Sequence, residues 1–190
     1  MIAKFQARCL MVCVATCATV TSVRTAHGDE REYQIKAAFL YHFAKFVDWP
    51  DEAFANDKNG FTIGVLGTDP FGTALDSLNG KVVKDKKVVV RRYQTANEAK
   101  NCQILFIGSS ERDRLNEIME TLKGGHVLAV ADLERFAQRG GSVKFKLVDN
   151  KVRFDINTDA AERAGLKISS KLLSVAEIVR DERPALSSAR

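Results

Sequence analysis

The residues whose types could support chemistry lie where apolar stretches of the sequence end. Three such stretches are followed directly by hydroxyl, carboxylate and glycine residues. The candidate rim residues are Asp69, Phe71, Gly72, Ser109, Ser110 and Asp132. In an open parallel sheet, ligands bind beyond the carboxyl ends of the strands, and backbone N–H groups at Phe71 and Gly72 could hold an anion. The pattern predicts a polar rim that could take a small ligand, although its spacing does not identify that ligand.

The glycines beside this rim also have a simpler interpretation. The segment that contains Gly64, Gly67 and Gly72 lies where a predicted strand gives way to a predicted helix, but its spacing does not match the Gly-x-Gly-x-x-Gly pattern. Gly64 falls inside the strand itself. A tight strand-to-helix turn explains the same glycines without a ligand, and we favour it over a phosphate-binding loop.

The sequence lacks the motifs of common catalytic centres. It contains no Gly-x-Ser-x-Gly segment, no His-x-x-x-His pair and no Walker loop. The sequence has only three histidines, and His27 and three of the four cysteines lie in the predicted leader described below. Two histidines and one cysteine are too few for a metal cluster. We therefore expect a protein that is not an enzyme, with no catalytic residue, metal or cofactor.

The charge balance argues against a nucleic-acid partner. Lys and Arg number 29 against 24 Asp and Glu, a net charge of +5, but Lys4, Arg8 and Arg24 lie in the first 28 residues, which contain no acidic residue. The rest of the chain therefore carries only +2, too little for a nucleic-acid-binding domain. A local basic cluster comprises Lys81, Lys84, Lys86, Lys87, Arg91 and Arg92. We interpret it as a solvated face, which could also meet anionic lipid.

Residues 1–28 are predicted to be a signal peptide. Lys4 and Arg8 precede an uncharged run over residues 9–23, which is too short for a membrane span, and Ala26-His27-Gly28 is a suitable cleavage site. The alternative is a lipoprotein signal ending at Cys17, which the threonine before that cysteine disfavours. We expect the mature protein to be periplasmic.

Export leaves a single cysteine. Cys9, Cys13 and Cys17 are removed with the signal peptide, so Cys102 has no partner for an internal disulfide. Cys102 begins the apolar run 102–107, which favours burial as a small hydrophobic residue.

Residues 29–180 are predicted to form one domain, followed by a flexible tail over residues 181–190. Helical periodicity over 33–47 predicts an amphipathic helix with Ile35, Phe39, Phe43, Phe46 and the neighbouring His42 on its apolar stripe. Strands are predicted over 61–67, 88–93, 104–107 and 127–130, and a hairpin over 143–148 and 152–156 with its turn at Asp149-Asn150.

Helices are predicted between and after these strands. We expect Asp69, Ser110 and Asp132 to cap helices over 70–78, 112–122 and 133–138. Asn157 or Thr158 is predicted to cap a short helix, and Ser169-Ser170 to open a last helix that extends to Val179. Alternating strands and helices predict a three-layer α/β domain, with a mostly parallel sheet, helices on both faces and an antiparallel edge hairpin.

Three stretches resemble the YfiR-like family of periplasmic proteins. They occur in family order and span Tyr33 to about Ile178. The stretches are Lys36–Pro50 (KAAFLYHFAKFVDWP), Val65–Gly72 (VLGTDPFG), and Asn150–Asn157 (NKVRFDIN) continued by Ala164–Leu173 (AGLKISSKLL).

The resemblance implies a soluble repressor that binds the periplasmic part of a YfiN-like membrane diguanylate cyclase and so lowers cyclic-di-GMP. It also implies release of the repressor by an outer-membrane lipoprotein. Relatives occur with histidine kinases, so the alternative is a periplasmic small-ligand receptor that feeds a histidine kinase or another membrane sensor. Some members carry internal disulfides. Cys102 resembles one of those cysteines and could form only a homodimer disulfide, if it is exposed.

We place the partner contact just before the predicted last helix. The candidate contact residues are Lys167, Ile168, Ser169, Lys171 and Leu172. Ile168 is apolar between polar neighbours and could be an exposed anchor. The alternative is that Ile168 and Leu172 only close the core.

Overall fold

The computed structural model describes residues 26–55, 58 and 60–181. Residues 1–25 of the predicted signal peptide and residues 182–190 of the predicted tail lie outside this range. The helices are α1 (Ala26–Phe46), α2 (Thr73–Asp76), α3 (Ala96–Ala99), α4 (Leu115–Leu122), α5 (Thr158–Arg163) and α6 (Ser170–Leu173). Two 3₁₀ segments cover Asp51–Phe54 and Ser109–Arg114. The strands are β1 (Val47–Asp48), β2 (Gly60–Leu66), β3 (Val82–Val83), β4 (Lys86–Tyr93), β5 (Ile104–Ile107), β6 (Leu128–Ala131), β7 (Val143–Val148), β8 (Lys151–Asn157), β9 (Lys167–Ile168) and β10 (Glu177–Val179).

A mostly parallel sheet organises the described residues. Its eight strands lie in the order β10-β8-β7-β6-β5-β2-β4-β3. β3 with β4 and β7 with β8 are antiparallel, and the other neighbouring pairs are parallel. β1 and β9 form a separate antiparallel pair. The predicted single α/β domain with a mostly parallel sheet is confirmed.

Buried side chains fill both faces of the sheet. One cluster packs α1 against the strands and includes Leu40, Phe43 and Phe106. The other packs α3 and α4 against the opposite face and includes Leu105 and Ile118. Successive residues of a strand point to opposite faces, so neighbouring residues of β5 serve different clusters. Helices on both faces produce the three predicted layers.

The central strand β2 is buried along its whole length. A parallel strand covered on both faces is built mostly from apolar side chains, here Phe61, Ile63, Val65 and Leu66. Gly64 interrupts this run, and its position has a steric reason. A Cβ atom there would lie 2.6 Å from Cε2 of Tyr93, so the ring of the neighbouring strand occupies the space.

The predicted β7–β8 hairpin is confirmed. Asp149 and Asn150 both have positive φ, +50° and +56°, as the two central residues of a type I′ turn require. The hairpin lies near one end of the sheet, and β10 adds a short parallel strand outside β8.

The first helix packs with a different face inward from the one predicted. Phe43 faces the core as expected, and so does Leu40, which was not assigned to the stripe, whereas Ile35 is exposed and Lys36 is buried. His42, assigned to the core stripe, is also exposed. Lys36 can face inward because its ammonium group meets two carboxylates there.

Two predicted helix starts are wrong. Asp69 Oδ1 accepts the backbone N–H of Phe71 at 2.7 Å, which forms a local turn, and α2 begins only at Thr73. Ser110 Oγ accepts the backbone N–H of Thr68 at 2.9 Å instead of capping a helix. A 3₁₀ segment therefore precedes α4, which starts at Leu115 rather than at residue 112.

The predicted helix over 133–138 is replaced by consecutive turns. Asp132 does not cap it, because the Asp132 carboxylate accepts hydrogen bonds from α1. Arg135 has a φ of +56°, which interrupts helical geometry at this point.

The last predicted helix is too long. Ser169 caps α6 through the N–H of Leu172, as expected, but the helix ends at Leu173. Residues 177–179 form β10, which pairs with β8. Ile178 and Val179 are β-branched, and a partner strand at the sheet edge favours their extended conformation over a helix.

We expect Cys102 to be unreactive in the native protein. The side chain is 2% exposed, and burial raises the pKa of its thiol. A disulfide between two copies would need this thiol at the surface. Iodoacetamide should modify Cys102 only after unfolding in urea, as measured by mass spectrometry of the peptide that contains it. Rapid modification without denaturant would contradict this burial.

Acid should loosen β10 through Glu177. A hydrogen bond from Lys146 lowers the pKa of the Glu177 carboxyl, and Asp155 forms an ion pair with the same ammonium group. Because the folded-state pKa is depressed, the stabilisation is present above the unfolded pKa and is lost as pH falls through the folded value. We expect the protection factor of the Ile178 amide, which is the exchange rate relative to that of the unfolded chain at the same pH, to fall below about pH 4. Glu177→Gln should show this low protection factor at every pH, and equal protection in both proteins would exclude the mechanism.

Candidate functional site

The predicted rim lies along the carboxyl edge of the parallel strands, and part of it forms one contact chain. The Phe71 ring packs edge-on between Tyr33 and Phe106, with centroid distances of 5.3 and 4.7 Å. The Tyr33 hydroxyl donates to Asp132 Oδ2 at 2.7 Å. Asp69 holds the backbone of Phe71 from the other side. The structure thus connects Asp69, Phe71 and Asp132 through the ring of Tyr33 in α1.

A buried ion pair lies at the Asp132 end of this chain. Lys36 is 3% exposed, and its Nζ lies 2.8 Å from Asp132 Oδ2 and 2.6 Å from Glu32 Oε1. The same ammonium group lies 4.2 Å from the centre of the Tyr33 ring. Burial raises the pKa of the Tyr33 hydroxyl, and the hydrogen bond that this hydroxyl donates to the Asp132 carboxylate raises the pKa further. Asp132 therefore joins the start of α1 to the end of β6.

The other rim carboxylate is engaged as well. Arg92 Nη2 lies 2.7 Å from Asp69 Oδ2, and Arg92 Nη1 lies 2.7 Å from Asp76 Oδ1. These carboxylates, Asp76 first, raise the pKa of the Arg92 guanidinium. Arg92 also donates to the carbonyl of Gly72 at 3.4 Å. An anion at Asp69 would have to displace these contacts.

The remaining rim residues hold the turn after β2. Ser109 is exposed, and Ser110 binds the backbone of Thr68. A Cβ atom at Gly67, where φ is +82°, would lie 2.4 Å from Ser110 Oγ and 2.8 Å from Glu111. This geometry supports the interpretation of the glycines as a tight turn. A ligand at the six rim residues remains a prediction.

The candidate partner segment begins with a short strand pairing. Ile168 lies opposite Val47 and Lys167 lies opposite Asp48, so β9 pairs with β1, the strand that directly follows α1. The Ser169 N–H donates to the Phe46 carbonyl at 2.9 Å. This pairing fixes the segment at the C-terminal end of α1.

The five predicted contact residues differ in exposure. Lys167 and Lys171 are exposed, and Ile168 and Ser169 are half-buried. Leu172 is 4% exposed and belongs to the core on the α1 face, as the alternative interpretation proposed for it. Four of the five residues are therefore accessible to a partner.

Neighbouring apolar residues enlarge this surface. Phe46 and Leu173 are half-buried beside Ile168, and the ring of exposed His42 stacks on Phe46 at 6.2 Å. We define the α6 surface as Phe46, Lys167, Ile168, Lys171 and Leu173. Sequence reasoning missed Phe46 because its spacing on α1 matched the core stripe. The position of β9 is set by its pairing with β1, and no local sequence pattern indicates that pairing.

A small cavity lies beside this surface. It has a volume of about 240 Å³, and Leu166, Ile168 and Leu173 line it together with Ala161. Lys167, Glu162 and Thr158 complete the lining. An apolar side chain of a partner could enter it next to Ile168, in the manner of an interface anchor.

Comparison with known proteins assigns a family to this fold. The model of the YfiR/HmsC-like family matches residues 33–177, which include α1, the rim and the α6 surface. The chain belongs to this family. No curated protein matches the sequence. Within the described residues, no helix is both long and apolar enough to cross a membrane, and no group of three or more His, Cys, Asp or Glu side chains could hold a metal ion.

Two solved structures are similar to this chain at low sequence identity. The ABC domain in complex with L-Trp from Streptococcus pneumonia is 10% identical, with a TM-score of 0.50 over 78% of this chain and 60% of that one. A conserved domain protein from Vibrio cholerae O1 biovar eltor is 12% identical, with a TM-score of 0.48 over 77% of this chain and 59% of that one. This chain thus spans about three fifths of each structure. The first likeness concerns the fold alone.

Removing the buried ammonium group should destabilise the protein strongly. Lys36→Met leaves the Asp132 carboxylate without its cation, and breaking such a pair costs about 3 kcal/mol of unfolding free energy. Lys45→Met is the matched control, because Lys45 is exposed on the same helix. That control should cost less than about 1 kcal/mol. Urea unfolding measures both values, and equal losses would show that the Lys36 pair contributes no special stability.

Proposed function

We propose that the protein is a periplasmic inhibitory binding protein that represses a membrane-bound signalling enzyme. The target in this proposal is a diguanylate cyclase, so that repression lowers cyclic-di-GMP. The family match over residues 33–177 carries this proposal, because the YfiR/HmsC-like family suggests a periplasmic regulator of diguanylate cyclase. The partner in this proposal is the periplasmic domain of the inner-membrane cyclase or of another sensor.

The α6 surface has the composition of a contact site. Half-buried Ile168, Phe46 and Leu173 offer apolar area, and exposed Lys167 and Lys171 flank it with positive charge. Interfaces combine apolar anchors with a polar rim. The complementary partner surface is apolar at its centre and acidic at its margin.

Repression by this route needs no chemistry. A bound repressor shifts the cyclase towards its inactive state only if it binds that state more tightly. Moving the population from 1:99 to 99:1 requires a preference of about 10⁴-fold, or about 5.5 kcal/mol. A competitor for the same surface, such as an outer-membrane lipoprotein, would displace the repressor from the cyclase. The cyclase population would then return to its active state.

Two substitutions on the α6 surface test the contact. Ile168→Asp puts a charge into the apolar centre, and Lys171→Glu reverses a charge at an exposed position. Both variants should raise intracellular cyclic-di-GMP towards the level of a strain that lacks the gene. Lys171→Glu should do so with an unchanged melting temperature, because exposed substitutions seldom alter stability by more than about 0.5 kcal/mol.

The control is Leu147→Asp, which places the same charge at a residue that is 53% exposed on β7, beside Glu32 and Ile35 and far along α1 from the α6 surface. This variant should repress normally. Repression that survives both α6-surface substitutions would remove the contact from this surface. Unchanged cyclic-di-GMP on deletion of the gene, with the cognate cyclase expressed, would refute the cyclase proposal and favour a receptor for a histidine kinase.

A further inference from the structure

A cavity of about 650 Å³ lies beside the carboxyl ends of β5 and β6, on the sheet face that α4 covers. Its lining residues are Arg112, Leu115, Leu133, Glu134, Arg135 and Arg139. They belong to two segments, the end of a 3₁₀ turn with the start of α4, and the turns after β6. The volume falls within the range of small-molecule sites, and the position is where open α/β sheets bind ligands.

The lining separates apolar and charged groups. Leu115 and Leu133 are buried members of the core on this face, 1% and 3% exposed, and their outermost atoms form the apolar floor of the cavity. The three arginines are exposed and, against the single Glu134, give the lining an excess of two positive charges. A guanidinium binds carboxylate and phosphate oxygens through two parallel hydrogen bonds.

Two of these arginines have no counter-charge from their own chain. Among the described residues, neither Arg112 nor Arg139 forms an ion pair, whereas Arg92 at the neighbouring rim has two carboxylate partners. Arg139 Nη2 instead donates to Asn116 Oδ1 at 2.9 Å, which fixes its orientation towards α4. The cavity therefore presents positive charge that an external anion can neutralise.

Packing and a hydrogen bond from the protein interior fix the turns that carry Arg135 and Arg139. Phe136 is fully buried between them, and a Cβ atom at Gly141 would lie 2.1 Å from its ring. The Asn157 side-chain amide donates to the Ala137 carbonyl at 2.6 Å. A site that is already ordered loses less entropy when it binds a ligand.

We propose that this cavity binds a small organic anion. Its carboxylate or phosphate group lies between the guanidinium groups of Arg112 and Arg139, with Arg135 adding charge, and its compact apolar body rests on Leu115 and Leu133. The site lies on the face of the sheet opposite the α6 surface, so its occupancy and repression can be measured independently.

The experiment is an NMR titration of the protein expressed from the full-length gene. Phenyl phosphate and benzoate are the test anions, inorganic phosphate lacks the apolar body, and benzyl alcohol lacks the charge. At least one aromatic anion should bind saturably, with the largest shifts at the amides of residues 112–115 and 133–139. Inorganic phosphate and benzyl alcohol should each bind at least about tenfold more weakly. The tighter of the two anions identifies the headgroup class.

Two double variants distinguish binding at this cavity from diffuse electrostatic attraction to the positively charged surface. Arg112→Gln with Arg139→Gln should weaken binding by at least about tenfold. Arg91→Gln with Arg153→Gln removes two exposed arginines from β4 and β8 and should leave the affinity within about twofold. All four positions are exposed, so melting temperatures should not change.

Three outcomes would overturn the proposal. The first is the absence of saturable binding of either aromatic anion up to about 10 mM. The second is an equal loss of affinity in both double variants, which would indicate diffuse attraction. The third is equal affinity for inorganic phosphate and the aromatic anions, which would exclude the apolar contact with Leu115 and Leu133.

Discussion

The buried ion pair between Lys36 and Asp132 holds α1 against the sheet. The rim at the start of this helix and the α6 surface at its end both depend on that position. An ammonium group that is 3% exposed needs a carboxylate partner, and Asp132 supplies it at the end of β6. This contact sets where α1 crosses the sheet. The helix then ends beside β9, where Val47 pairs with Ile168. The position of the α6 surface is thus a consequence of a polar contact at the opposite end of the same helix.

The sheet could be predicted from local sequence because each of its central strands is buried on both faces. Continuous apolar runs such as 104–107 have no other stable environment in a domain of this size. The β7–β8 turn was equally predictable, since Asp149 and Asn150 tolerate the left-handed backbone that a two-residue hairpin turn needs. Family resemblance then added the function, which neither periodicity nor composition contained.

The errors at three predicted helix starts share one physical cause. Asp69, Ser110 and Asp132 are good helix caps by residue type, but each side chain satisfies a different backbone or side-chain donor: the N–H of Phe71, the N–H of Thr68 and the groups of α1. A short polar side chain binds whichever donor the fold brings near, and local pattern cannot rank these donors. The arginine cavity was missed for a related reason. Arg112 and Arg139 are separated by more than twenty residues and meet only because β5 and β6 are adjacent.

The same sheet separates the two proposed surfaces. Leu133 lines the anion cavity, and the preceding Asp132 holds α1, so the chain connects the two faces within two residues. Adjacency alone does not couple them, because coupling requires a ligand to favour one of two states. The core packs densely on both faces of the sheet, and a packed core of this kind resists small displacements. With only one packing arrangement of the sheet, an anion in the cavity would stabilise the fold by its binding free energy and leave the affinity of the α6 surface for its partner unchanged.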